Sequence, residues 1–110
     1  MLSVELTHIA DVLDDIGTLA NVSSKARGYA ATIRDAIWKH TLTSRGTFAY
    51  ETNGYGGQYI MDDANVPSLL SLPYLGFLAR DDETYVKTKG MLLSRANPYY
   101  AEGPGFSGIG

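Results

Sequence analysis

The spacing of hydrophobic residues along the first part of the chain predicts two helices. Apolar residues recur every three or four positions, which matches the period of about 3.6 residues of an amphipathic α-helix. We predict one helix over roughly residues 2–20 and a second that begins at Ser23 or Ser24 and ends near Leu42, since serine is a good N-cap. The short link between them predicts an antiparallel helical hairpin. The apolar stripe of the first helix comprises Leu2, Leu6, Ile9, Val12, Leu13, Ile16, Leu19 and Ala20.

The period then shortens to two, which predicts a β-hairpin. Phe48, Tyr50 and Thr52 lie at alternate positions and would share one face of a strand. The glycines of the stretch 53–57 supply the positive φ angles that tight turns need. Residues 58–61 would then form the returning strand.

Two further helices are predicted after the hairpin. The first is capped by Asn65, carries Pro67 in its first turn and is ended by Pro73. The second begins at the acidic residues 81–83 and runs to about Ser94, with negative charge at the end where the helix dipole favours it.

The C-terminal residues 97–110 are rich in Gly, Pro and Tyr, and we predict a loop there. The predicted fold class is therefore mainly α with an inserted β-hairpin. These elements would leave an apolar face exposed, so we expect the chain to be an incomplete segment of a larger helical domain.

Composition and charge narrow the function classes. A chain of 110 residues that is 45% hydrophobic is typical of a single globular domain. Its formal net charge of −3, without a basic cluster, argues against nucleic-acid binding. No apolar stretch approaches the roughly 20 residues of a membrane helix, so we predict no membrane segment. The first residues lack the layout of a signal peptide, and localisation is left unassigned.

The best candidate for chemistry is the acidic stretch between the hairpin and the third predicted helix. Asp62, Asp63 and Asn65 would cap a helix, bind a metal or bind a polar ligand. A metal is disfavoured because no second cluster of ligands lies at a suitable spacing. The two carboxylates cannot act as an acid–base pair across one bond, because adjacent residues of an extended segment point to opposite faces. At most one of them faces a ligand as an acid or base, and the other would cap the helix, orient a neighbour or bind a hydroxyl.

A glycosylation sequon, Asn21-Val22-Ser23, lies at the predicted link between the first two helices. Such triplets are common by chance, and this one matters only in a secreted protein.

Three ordered motifs lie between Thr47 and Gly110. The first is Phe-Ala-Tyr-Glu with Gly-Tyr-Gly at 48–56, and the second is Met-Asp-Asp-Ala-Asn-Val-Pro-Ser-Leu-Leu-Ser-Leu-Pro-Tyr-Leu-Gly at 61–76. The third comprises Leu-Ser at 93–94, Asn-Pro-Tyr-Tyr at 97–100 and Gly-Ile-Gly at 108–110. Together they resemble glycoside hydrolase family 125. The first helical hairpin is compatible with that family without being distinctive.

The resemblance implies an exo-acting α-1,6-mannosidase that inverts the anomeric centre and uses no metal or other cofactor. It implies an (α/α)6 barrel, six helix pairs around an axis, of which residues 1–110 would be one incomplete segment of the catalytic domain. The partner would be a mannose-containing oligosaccharide or glycan. The resemblance places the catalytic acid upstream of this chain and the base downstream, so no catalytic residue is assigned here.

Within this chain the resemblance points to the wall of a sugar pocket. The candidate substrate-binding residues are Tyr55, Tyr59, Met61, Asp62, Asp63 and Asn65. Carboxylates and amides bond sugar hydroxyls, and an aromatic face covers the apolar side of the ring. The sequence leaves open which aspartate faces the sugar. It also leaves open a non-catalytic helical fragment or protein-binding module, marked by an exposed apolar stripe, and another (α/α)6 carbohydrate-active enzyme.

Overall fold

The computed structural model describes residues 1–110, which form two compact units, Met1–Lys39 and His40–Gly110. The helices are α1 (Leu2–Asp15), α2 (Ala20–Thr41) and α3 (Glu83–Leu92). Two antiparallel hairpins join β1 (Glu51–Thr52) to β2 (Gln58–Tyr59) and β3 (Tyr100–Gly103) to β4 (Phe106–Ile109). The mainly α class and the hairpin after the first helix pair are confirmed, while the (α/α)6 barrel and the single-domain assignment stay predictions. None of the helices combines the length and hydropathy of a membrane span.

Helix α1 ends at Asp15, earlier than the predicted residue 20, because Gly17 terminates it. Gly17 has a φ of 66°, in the left-handed region that glycine adopts without steric cost. Its N–H donates to the Asp14 carbonyl at 3.0 Å, and the Thr18 N–H donates to the Leu13 carbonyl at 3.1 Å. These two bonds form a Schellman motif. The apolar spacing continues past Gly17, and for this reason the predicted end of the helix lies about five residues too late.

Helix α2 begins at Ala20, before the predicted caps Ser23 and Ser24. Ser23 lies inside the helix and is only 2% exposed. Its Oγ donates to Asp14 Oδ1 at 2.5 Å, so the hydroxyl joins α1 to α2 instead of capping a helix. The prediction that Ser23 or Ser24 caps the helix is therefore wrong. The Ser23 hydroxyl bonds a residue of α1 and not the backbone at the start of α2.

Small residues and one arginine hold α1 and α2 together. The buried residues are Ser3, Val4 and Ala10 on α1 and Ser23, Ala26 and Ala30 on α2. Arg27 Nη2 lies 2.8 Å from Asp11 Oδ1 and 2.5 Å from Asp14 Oδ2. The hydrogen bond from Arg27, followed by the one from Ser23, holds the pKa of Asp14 below its ordinary value.

Much of the predicted apolar stripe of α1 faces outwards. The side chains that are at least half exposed are Leu2, Ile9, Val12, Ile16 and Leu19. Within this unit the helix buries its small-residue side and leaves these larger side chains uncovered. This exposed set, the α1 stripe, matches the feature that the sequence analysis associated with a fragment or a binding module.

The first hairpin is shorter than predicted, but its turn follows the sequence closely. The Tyr50 N–H donates to the Tyr59 carbonyl at 2.8 Å, one residue before the assigned strand. At the tip, Asn53 Oδ1 accepts the N–H groups of Tyr55 and Gly57, each at 2.9 Å. A Cβ on Gly57 would lie 2.5 Å from the Asn53 amide nitrogen, so this side chain and a glycine are needed together.

The helix predicted from Asn65 to about Leu72 is absent, and that prediction is wrong. Residues 66–77 form successive turns instead. The Ser68 N–H donates to Ser71 Oγ at 2.8 Å, and the Ser71 N–H donates to Ser68 Oγ at 3.1 Å. These reciprocal bonds have the pattern of a capping box, which normally starts a helix. Pro73 follows two residues later, lacks an N–H and disfavours the helical conformation of Leu72, so no helix continues from it.

Helix α3 begins at the predicted acidic stretch. The N-cap is Asp82, whose Oδ1 accepts the Tyr85 N–H at 3.0 Å. The helix ends at Leu92, two residues before the predicted Ser94. At this end of the helix, the side-chain amide of Asn97 donates to the Leu92 carbonyl at 3.3 Å.

The core of the second unit forms where α3 meets the chain ahead of the first hairpin. Thr88 is fully buried, and its Oγ1 accepts the Phe48 N–H at 2.9 Å. The rings of Phe48 and Phe77 pack edge to face with their centroids 6.3 Å apart. The Tyr85 hydroxyl donates to the Leu70 carbonyl at 3.0 Å, which ties the turn segment to the same helix.

The C-terminal residues form a second hairpin, and the predicted loop over 97–110 is wrong. In the register of β3 and β4, Gly103 lies opposite Phe106. Pro104 and Gly105 make the connection, and Gly105 has a φ of 83°. Proline followed by a glycine of positive φ is the requirement of a type II turn, so the composition that suggested a loop specifies a tight turn.

The cap of α3 should be measurable at the first helical turn. Asp82→Ala removes the acceptor of the Tyr85 N–H, and losing such a cap costs about 1 kcal/mol, which raises local amide exchange about fivefold. Hydrogen exchange of the peptide that contains Tyr85 measures this. Asp81→Ala is the matched control, because the exposed Asp81 is not the capping residue. Equal acceleration in the two variants would contradict the cap.

The contact of Arg27 with Asp14 predicts a pH dependence for the first unit. The folded pKa of Asp14 is lowered, so its stabilisation is present above the unfolded value of about 3.9 and is lost as the pH falls through the folded value. Arg27→Gln should raise the pKa of Asp14 towards the ordinary value, as measured by carboxyl carbon NMR. Lys25→Gln removes a neighbouring positive charge and should leave that pKa unchanged. A pKa that does not move in Arg27→Gln would refute the assignment.

Candidate functional site

The two adjacent aspartates of the acidic stretch have opposite surroundings. Asp62 is fully buried, and its carboxylate accepts the Ala64 N–H at 3.1 Å and the Leu70 N–H at 2.9 Å, one on each oxygen. Ala64 has a φ of 60°, a left-handed conformation that is uncommon for a residue with a Cβ. Asp62 therefore orders the loop from residue 62 to residue 70, because it supplies the backbone N–H groups with acceptors.

Asn97 holds the backbone of the same residue from the other side. Its side chain is 1% exposed; its Oδ1 accepts the Asp62 N–H at 3.2 Å, and its Nδ2 donates to the Asp62 carbonyl at 2.8 Å. Both backbone hydrogen-bonding groups of Asp62 are thus paired with one amide side chain, in the way that a neighbouring strand would pair them. We call this arrangement the Asp62–Asn97 pair.

Asp63 is the aspartate whose side chain reaches the surface. It is half-buried, and its Oδ1 accepts the Asn65 N–H at 3.1 Å. The Asn65 side chain, and next its backbone N–H, hold the pKa of Asp63 below the ordinary value. A carboxylate accepts about four hydrogen bonds, so Asp63 stays ionised near neutral pH and keeps capacity to accept from a further donor.

Two tyrosines that the sequence analysis did not single out belong to this site. The negative charge of Asp63, followed by partial burial, raises the pKa of Tyr50, and Tyr99 adds a smaller effect. Tyr99 is also connected to the acidic stretch by a hydrogen bond, because its N–H donates to Asn97 Oδ1 at 3.3 Å. The signal for them was their place in the Phe-Ala-Tyr-Glu and Asn-Pro-Tyr-Tyr motifs.

The remaining predicted residues are more dispersed. Met61 is half-buried and directly precedes the Asp62–Asn97 pair. Tyr59 lies on β2 and is 69% exposed, while Tyr55 lies on the turn of the first hairpin and is 96% exposed. Neither tyrosine side chain takes part in the bonds that order the acidic stretch. Their contact with sugar stays a prediction, as does a direct contact by Asp62.

A separate surface groove of about 370 Å³ lies elsewhere in the second unit. Its lining residues are Thr43, Ser44, Arg45, Thr47, Gln58, Ile60, Met91 and Ala96. It contains none of the predicted site residues and no carboxylate. The groove therefore offers hydroxyls and one cation, and has no group suited to protonate a leaving oxygen.

Three acidic side chains of the second unit already take part in hydrogen bonds within the fold. Both oxygens of Asp62 are taken by backbone N–H groups, and Asp82 caps α3. Glu102 lies on β3 and accepts from Arg95 Nε at 3.0 Å. No three of the His, Asp and Glu side chains form a group that would hold a metal ion. The site is suited to bind and orient a polar ligand.

Comparison with known proteins identifies the family of this chain. The sequence profile described as metal-independent alpha-mannosidase (GH125) matches residues 1–110, the whole chain. The Meiotically up-regulated gene 157 protein of Schizosaccharomyces pombe is 48% identical over 115 residues, which cover 100% of this chain and 22% of that protein.

A solved structure from Streptococcus pneumoniae has the same fold over nearly all of the chain. It superposes with a TM-score of 0.90 at 34% identity and covers 98% of this chain and 27% of that one. It is described as a metal-independent α-mannosidase in a non-productive complex with α-1,6-mannobiose. The chain thus spans about a quarter of these relatives or less. The resemblance found in the sequence is confirmed: the chain belongs to the metal-independent α-mannosidase family GH125.

Proposed function

We propose that this chain contributes part of the sugar-binding pocket of a glycoside hydrolase that removes terminal α-1,6-linked mannose from glycans. Membership of the family supports the reaction class, and the mannobiose bound to the pneumococcal relative supports the sugar. The activity proposed is exo-acting and inverting, as the sequence motifs imply.

The observation that carries the proposal is the half-buried, ionised carboxylate of Asp63, which reaches the surface. It stands on a loop whose backbone is fixed by buried hydrogen bonds. The Asn65 N–H donates to it, and its negative charge raises the pKa of Tyr50. A mannose ring offers hydroxyls, which donate to a carboxylate and exchange bonds with an amide. Tyrosine rings cover the apolar side of a sugar, and Tyr99 is available for this at 46% exposure. A preordered loop lowers the cost of binding, because its side chains are not immobilised at that moment.

In an inverting reaction one carboxylic acid protonates the leaving oxygen while a carboxylate activates water on the opposite face. The two groups stand roughly 6.5–9.5 Å apart in such enzymes. We assign neither role to these 110 residues, because Asp62 and Asp63 are adjacent and Asp62 is already occupied. In this proposal Asp63 and Asn65 bind and orient the terminal sugar, while the acid and the base come from other segments of the enzyme.

A non-catalytic role as a packing unit or protein-binding module is the alternative that one observation favours. The α1 stripe exposes apolar side chains of the kind that partners cover. The two roles are compatible in a multi-helix enzyme. They separate in an assay, because a binding module would show no dependence of sugar turnover on Asp63.

Within the enzyme, Asp63→Asn should lower kcat/KM on α-1,6-mannobiose by about tenfold or more. The reason is that a hydrogen bond to a charged group contributes roughly 1.5–3 kcal/mol. Turnover on α-1,6-, α-1,3- and α-1,2-linked mannobiose measures both the loss and the linkage preference. The matched control is Asp81→Asn, an exposed carboxylate at the start of α3. Unchanged kinetics in Asp63→Asn would remove the residue from the pocket, and equal turnover of the three disaccharides would refute the linkage.

The isolated 110 residues should not hydrolyse α-1,6-mannosides, because they hold no pair of carboxyls across a bond. The purified chain is incubated with α-1,6-mannobiose beside the intact enzyme as the positive control. Release of mannose by the chain would contradict the assignment if Asp63→Asn or Glu102→Gln abolished it. The catalytic groups would then lie on this segment.

A further inference from the structure

Asn97 links three parts of the second unit through one buried side chain. Its amide nitrogen reaches the Leu92 carbonyl at the end of α3 and the Asp62 carbonyl, and its oxygen accepts from the Asp62 N–H. The same oxygen accepts the Tyr99 N–H at 3.3 Å. One side chain therefore connects the loop that carries Asp63 with the segment that carries Tyr99.

The other side of the loop is fixed by Asp62 itself. Its carboxylate holds the N–H groups of Ala64 and Leu70, and the first of these bonds secures the left-handed turn that directly follows Asp63. Asp63 thus lies between Asp62, whose backbone and side chain are both hydrogen-bonded, and Ala64, whose N–H is hydrogen-bonded. Its Cα has little freedom to move unless these buried bonds break.

We infer that Asn97 is a positioning residue for sugar recognition, with Asp62 as its partner, and that the Asp62–Asn97 pair sets the placement of Asp63 relative to Tyr99. This inference rests on the proposed function, in which Asp63 binds the terminal mannose. Asn97 is buried at 1% exposure and acts through the residues that it holds. A sugar hydroxyl discriminates sharply between bonding geometries, so a loop that drifts by a fraction of an ångström loses affinity and orientation.

An asparagine suits this role because it donates and accepts from one short side chain. Asn97 uses its nitrogen for two carbonyls and its oxygen for two N–H groups. Aspartate has the same shape and no donor, so it would leave the Asp62 and Leu92 carbonyls unpaired. Alanine leaves all four groups without this partner.

The test is a double-mutant cycle in the intact enzyme with Asn97→Ala and Asp63→Asn, measured as kcat/KM on α-1,6-mannobiose. We expect Asn97→Ala to lower kcat/KM by about tenfold or more, since each factor of ten corresponds to the loss of roughly one good hydrogen bond. The double variant should be within about twofold of Asp63→Asn alone, because a residue that acts through Asp63 has nothing left to position. Losses that multiply, or an Asn97→Ala enzyme with unchanged kcat/KM, would overturn the inference.

A structural signature separates positioning from general destabilisation. Asn97→Ala changes no charge, so a fall in the pKa of Tyr50 towards its value in Asp63→Asn reports a change in the surroundings of Tyr50, in which the charge of Asp63 has the largest effect on that pKa. Carbon-13 NMR of the tyrosine ring, assigned with Tyr50→Phe, measures that pKa. The control Thr43→Val removes a part-buried hydroxyl that bonds Thr47 Oγ1 in the same unit, away from the 62–70 loop, and should leave both kcat/KM and the pKa of Tyr50 unchanged. A Tyr50 pKa that stays constant in Asn97→Ala would assign Asn97 to stability alone.

If Asn97→Ala does not fold, Asp62→Asn replaces it in the cycle. The asparagine side chain has one acceptor oxygen, so it keeps only one of the two bonds that the Asp62 carboxylate makes to the Ala64 and Leu70 N–H groups. The same expectation holds, with losses that do not multiply. The proposed function fails separately: if Asp63→Asn leaves kcat/KM unchanged, Asp63 does not bind the sugar. If Asp63→Asn lowers kcat/KM while Asn97→Ala and Asp62→Asn do not, only the positioning inference is refuted.

Discussion

Every buried backbone N–H and carbonyl needs a partner, and the second unit meets this constraint largely without helices or strands. Asp62 and Asn97 supply those partners to the acidic stretch, and Ser68 and Ser71 do so for the turns that follow. Thr88 and Tyr85 connect the same irregular segments to α3. Short polar side chains therefore supply the backbone hydrogen-bond partners that a sheet or a helix would otherwise supply. Because these groups are buried and each is matched, the loop has one well-defined shape despite its lack of regular structure.

This arrangement gives two neighbouring aspartates different tasks. Asp62 is fully buried and its carboxylate accepts two backbone N–H groups. Asp63 is half-buried and reaches the surface, where we propose that it binds a ligand. Asn65 donates to Asp63, and the negative charge of Asp63 raises the pKa of Tyr50, so the electrostatics of the loop involve residues from two separate segments. A site of this kind depends on the register of the chain, because shifting the motif by one residue would exchange the two roles.

The sequence predicted the elements whose signals are local. The amphipathic helices, the Asn53 turn and the capped start of α3 follow from spacing and from single residues that act on their own neighbours. The errors have different causes, and only the first involves a bond to another element. Ser23 was read as a cap although it serves α1, and the serines after Pro67 were read as a helix although they pair with each other. The second hairpin was missed because glycine and proline were counted as composition and not placed as Pro104 and Gly105 in a turn. For the candidate site, the sequence identified the motif and the contrast between its aspartates. It gave no means to rank them, since burial of Asp62 depends on Asn97, far along the chain.

The bond from Ser23 to Asp14 also bears on the sequon Asn21-Val22-Ser23. In the folded unit the serine hydroxyl is buried at 2% exposure and already donates to a carboxylate, and the triplet lies in the first turn and a half of α2 instead of an open loop. An enzyme that attaches a glycan must read this triplet in an extended form. In a secreted protein, the hydroxyl of Ser23 would therefore be accessible to such an enzyme only before α1 and α2 have come together.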